Sequence, residues 1–135
     1  MRAFYAAKPG PDPEALKLGF RKCGEIAVAG GDRNTMLAVP TKGNLQGLIS
    51  DLLGDKAVNA LARDQVLDLG GLTMRLVTHR VPLRHRGPVL GAWTTIDHVQ
   101  AIARSRFATA IVFLPWLDEE IDEFRASFPD ALPLS

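Results

Sequence analysis

The hydrophobic positions of this chain fall into two kinds of block. Val89–Trp93 and Ala108–Leu114 are apolar without alternation, and the second is rich in Ile and Val and stops at Pro115. Such runs are too short for helices and suit strands covered on both faces of a parallel sheet, which makes 108–114 a central strand. Between them, Thr94, Thr95 and Asp97 supply capping side chains for a helix whose apolar positions Ile96, Val99 and Ile102 recur every third residue. Beyond Pro115, Leu117, Ile121, Phe124 and Phe128 form the stripe of another helix, whose other face carries Asp118, Glu119, Glu120, Asp122 and Glu123. Residues 88–128 therefore read as strand, helix, strand, helix.

The remaining segments extend this order. Residues 1–7 suit an opening strand, and Lys8-Pro9-Gly10-Pro11 turns the chain. Asp12-Pro13-Glu14 starts a helix with Leu16, Phe20 and Cys23 on one face and Gly24 as its expected stop. Glu25–Ala29 and Thr35–Val39 are expected to form an antiparallel hairpin around 30–34. Leu45, Leu48, Ile49, Leu52 and Leu53 mark one helix face, Gly54 ends it, and Asp55 can cap a second helix through Val58, Leu61 and Ala62. Val66–Leu69 and Leu72–Val77 flank Gly70-Gly71, the signature of a tight second hairpin. Pro129 and Pro133 are expected to close the regular structure. The pattern predicts an α/β fold, with α+β as the alternative: a single-layer mixed sheet with a parallel centre and antiparallel hairpins, helices packed on its faces.

Composition narrows the class. A length of 135 residues with 47% hydrophobic content suits one domain, 1–135, with a sizeable core. Sixteen basic and fifteen acidic residues leave a net charge of +1, so no global field draws the chain to nucleic acid or to an anionic membrane. Cys23 is the single cysteine, which excludes an internal disulfide and any multi-cysteine metal site and reads as a small core residue. No signal-length apolar core or membrane-length run is present, so a soluble cytoplasmic protein without membrane contact is expected.

Candidate chemistry gathers where parallel strands end. In open α/β sheets, ligands bind outside the carboxyl ends of the strands. That rule selects Thr41, Lys42, Gly43 and Asn44 after one strand, Thr94 and Thr95 after the next, and Trp116 after the third, with helix-start amides and a lysine suited to a phosphate or carboxylate. Helix capping accounts for Thr41, Asn44, Thr94 and Asp97 without a ligand. Neither a full phosphate loop nor GxGxxG occurs, and no cofactor is implied. Asp97 and His98 could act as an acid and base, although adjacent helix residues do not face each other. The histidines lack metal-ligand spacing, and the serines lack a nucleophile-elbow context. Arg75, Arg80, Arg84 and Arg86 concentrate positive charge. Without an aromatic beside them, they read first as edge protection or partners of the acidic helix, within one molecule or across a dimer, and nucleic acid is the less favoured partner. The leading expectation is a non-catalytic binding or protein-interaction domain, with a second copy or another protein as partner. The alternatives are a small enzyme acting on a phosphate-bearing metabolite or nucleotide, and nucleic-acid binding through the 75–86 stretch.

Overall fold

The computed structural model describes all 135 residues. In chain order the elements are β1 (Arg2–Tyr5), α1 (Pro13–Gly30), β2 (Asn34–Ala38), a 3-10 turn (Lys42–Leu45), α2 (Leu48–Leu53), α3 (Asp55–Asp64), β3 (Val66–Asp68), β4 (Thr73–Val77), β5 (Gly87–Ala92), α4 (Ile96–Ala103), β6 (Ala108–Leu114), α5 (Asp118–Ser127) and β7 (Leu132–Pro133). The seven strands form one sheet in the order β3-β4-β2-β5-β6-β1-β7. Only β3 runs antiparallel to its neighbour, β4; every other pairing is parallel. The sheet is therefore mixed, with helices on both faces and its three most apolar strands, β2, β5 and β6, side by side.

Both faces are buried because successive strand residues point to opposite sides. Leu37, Leu90 and Val112 join Leu16, Ile49 and Leu61 in a core beneath α1, α2 and α3. Their neighbours Met36, Val89 and Ile111 join Val99, Ile102 and Phe124 beneath α4 and α5. Each fully buried Leu or Ile contributes about 1.5 to 3 kcal/mol, which exceeds what any cap supplies. Gly19 lets α1 ride close on the sheet, since a Cβ there would stand 2.7 Å from Leu90 Cδ1. The connection from β4 to β5 has no helix. Residues 78–86 pass β2 on the α4 side, where Leu83 packs into the core.

Several expectations are corrected. Glu25–Ala29 is not a strand: α1 runs through Gly24 to Gly30 and ends at Gly31 with φ 79, whose amide donates to the Val28 carbonyl. The first expected hairpin is therefore absent, and β2 pairs in parallel with β4 and β5. The 66–77 hairpin is present as β3 and β4. Leu45 and Ile49 are buried as their spacing implies, yet Gly47 at φ 96 breaks their segment into the 3-10 turn and α2. Asp55 lies inside the first turn of α3 rather than at its cap. Pro133 does not leave the regular structure but sits in β7, at the sheet edge, where a missing N–H is tolerated. No helix is long and apolar enough to cross a membrane.

Candidate functional site

Six parallel strands deliver their carboxyl ends to one edge of the sheet. The chain leaves β2 toward the α1–α3 face and leaves the adjacent β5 toward the α4–α5 face, so the connections diverge between them and open a crevice. The expected candidates 41–44, Thr94, Thr95 and Trp116 all follow strands that end on this edge.

Their polar groups are largely committed to holding the backbone. Asn44 Oδ1 accepts from the Thr41 amide at 3.0 Å and from its hydroxyl at 2.8 Å, closing the 3-10 turn. Thr95 Oγ1 accepts from the His98 amide at 3.2 Å and caps α4. Thr94 is buried, with Oγ1 2.7 Å from His98 Nδ1. His98 is half-buried beside His79, and burial followed by the His79 charge lowers its pKa to about 4. His98 makes its side-chain hydrogen bond to Thr94 rather than to Asp97. No three His, Cys, Asp or Glu side chains converge to hold a metal ion.

Two clefts lie along the edge, and a third adjoins them beside β4 and β3. The first, of about 390 Å3, is walled by Gly43, Asn44, Ile49, Trp93 and Trp116. Trp93 is fixed there: its indole N–H donates to the Gly10 carbonyl at 2.9 Å, and the Gly10 amide donates to the Pro115 carbonyl at 3.0 Å. Its backbone adopts φ 55, an uncommon conformation for a bulky residue and one that costs about 1 to 3 kcal/mol. Trp116 stays 52% exposed, free to meet a ligand. The second cleft, of about 620 Å3, shares Gly43 with the first and adds Lys42, Gln65, His79 and Arg80. No carboxylate lines it. Thr78 Oγ1 accepts from the Arg80 and Val81 amides, both at 3.1 Å, and so holds the turn that presents His79 and Arg80.

The third cleft, of about 410 Å3, shares Gln65, Arg80 and Val81 with the second and adds Arg75, Arg84 and His85. Its one carboxylate, Asp64, is bound by the Arg63 guanidinium at 2.9 Å. Desolvation and the nearby Arg75 charge lower the His85 pKa. Arg86 is not part of this cleft and faces Asp32 at 3.6 Å. The basic stretch makes no ion pair with the acids of α5, so the intramolecular version of that pairing is not found.

The sequence reading missed Gln65 and His79 as edge residues and placed Arg80 only in the basic stretch. The rule that selected Thr41 and Thr94 would have found His79 and Arg80, because they directly follow a parallel strand. That rule could not be applied while β4 was known only as half of an antiparallel hairpin. No protein-family model matches this chain, and no curated protein or solved structure shows significant similarity to it.

Proposed function

We propose that the protein is a non-catalytic binding domain whose ligand is a nucleotide-like, phosphate-bearing molecule held at the carboxyl edge of the sheet. The observation that carries this reading is the junction at Gly43: an aromatic cleft with Trp93 and Trp116 adjoins a cleft that holds Lys42 and Arg80 and no carboxylate. A flat ring suits the indole faces, and a phosphate suits the two cations. The absence of turnover is supported by the state of the reactive groups. The Thr94 hydroxyl is buried against His98 Nδ1, and a pKa lowered to about 4 leaves His98 a weak base near pH 7.

Thermal unfolding in the presence of nucleoside mono- and diphosphates tests the reading, with the matching nucleosides and inorganic phosphate as controls. A ligand at 100 times its Kd stabilises by about 2.7 kcal/mol. The expected result is a shift with nucleotides that exceeds both controls and is lost in Lys42→Ala/Arg80→Ala. No shift with any nucleotide at millimolar concentration overturns the reading. Hydrolysis that disappears in His98→Ala overturns its non-catalytic part.

A further inference from the structure

The geometry points to a short single-stranded nucleic acid, rather than a mononucleotide, as the ligand of this edge. The inference rests on the nucleotide-binding reading above and extends it to the third cleft. Shared walls make the three clefts neighbours: Gly43 lies between the first and the second, and Gln65, Arg80 and Val81 lie between the second and the third. Along this track the character changes from aromatic to cationic. Trp93 and Trp116 stand at one end, Lys42 in the middle, and Arg80, Arg84 and Arg75 at the other.

Length is the deciding quantity. Trp116 follows β6 and Arg80 follows β4, and β2 and β5 lie between those strands. Three inter-strand steps of about 4.8 Å separate the two ends by roughly 14 Å, with Arg84 and His85 in the cleft beyond. One base with its own phosphates can bridge that distance but leaves the cleft of Arg84 and His85 empty, whereas linked nucleotides reach it.

Charge sets the polarity of the ligand. Asp118 and Glu119 are exposed two and three residues after Trp116 and repel a phosphate, so that end receives a base. At the far end the only carboxylate, Asp64, is already bound by Arg63, and the exposed Arg80 and Arg84 remain available to the backbone, while the half-buried Arg75 also donates to Asn34 Oδ1 at 3.5 Å. An exposed indole followed by a basic groove is the combination that binds single strands with little sequence preference, by stacking and phosphate contact. The sequence alone argued against nucleic acid because no aromatic accompanies residues 75–86. The fold supplies the tryptophans from elsewhere in the chain.

The test is a fluorescence-anisotropy titration with a labelled single strand of about six nucleotides, as DNA and as RNA, within the site size of known single-strand grooves. Competitors are a mononucleotide, inorganic polyphosphate and a duplex of the same sequence. The expected result is single-strand affinity at least ten-fold above that of the mononucleotide. If three phosphates are contacted, the logarithm of affinity should fall against the logarithm of salt with a slope of about −2. Arg84→Glu, an exposed position, should weaken the oligonucleotide about ten-fold and leave the mononucleotide unchanged, and Trp116→Ala should weaken both. A mononucleotide that binds as tightly as the strand overturns the inference and leaves the preceding reading standing. Polyphosphate that competes as well as the strand overturns it in favour of a base-independent anion site. Binding of neither nucleotide nor strand removes both proposals.

Discussion

His79 and His98 meet ring to ring in a tilted contact, with centroids 4.3 Å apart and planes inclined by 33°, joining the helix-free β4–β5 connection to α4. Because burial and the His79 charge lower the His98 pKa from 6.5 to about 4, the unfolded chain binds this proton more readily than the folded one. The stability it confers is complete above pH 6.5 and is lost as pH falls through about 4. Urea unfolding at pH 7 and pH 4.5 should therefore show a steeper loss for the native protein than for His98→Asn. The difference should be on the order of 1 kcal/mol after solvent screening of a half-exposed group. Equal slopes would remove this role.

Cys23 is fully enclosed by α1 and the sheet, and burial pushes its thiol pKa up to about 12. The thiolate is the reactive form, so an aromatic disulfide reagent should leave the folded protein untouched at pH 8 and titrate one thiol in denaturant. Rapid reaction of the native protein would contradict the core placement.

Gly87 lies where β5 shifts register against β6, and a Cβ at that position would overlap the Asn34 carbonyl oxygen. The obstacle is backbone in the adjacent strand and cannot rotate away. Gly87→Ala should destabilise by about 2 kcal/mol or more in chemical unfolding. Gly24→Ala is the contrasting variant: the added methyl would meet only Leu72 at 3.8 Å, inside a helix that favours alanine. It should be neutral or stabilising by up to about 1 kcal/mol.

Trp93→Phe retains an aromatic ring but removes the donor that holds the Gly10 carbonyl. The loss should be about 0.5 to 1.5 kcal/mol. Amide exchange should locate it, with the Gly10 amide, bonded to Pro115, exchanging faster than in the native protein while the β5 and β6 amides keep their protection.

The Gly24 and Gly87 cases also indicate what could be read before the fold was known. The unbroken runs at 89–93 and 108–114 announced interior parallel strands because two-sided burial removes alternation, and they are β5 and β6, paired with each other inside the sheet. The residues 25–29 misled because Ile26, Ala27 and Val28 resemble a strand and Gly24 resembles a stop. The helical spacing of Leu16, Cys23 and Ala27 continues through that glycine, and all three are buried. Periodicity outweighed local propensity there. The candidate edge was legible after β2 and β5, where strand, threonine and helix start follow one another, and after β6, where Pro115 and Trp116 lead into a helix. The third cleft was not, since Gln65 and Arg84 meet only because residues 78–86 double back across β2, a path dictated by sheet order rather than by local pattern.

The pairing of β1 with β6 has a consequence for biosynthesis. Arg2 through Tyr5 find their hydrogen-bonding partners at Ala110 through Phe113, so these residues wait for a strand made about a hundred positions later. Helices such as α1 can form early, but closing so long a loop is slow, and folding should be limited by the arrival and docking of β6. A nascent chain that stalls before β6 emerges would expose the flank of β5, an invitation to aggregation that chaperones would have to cover.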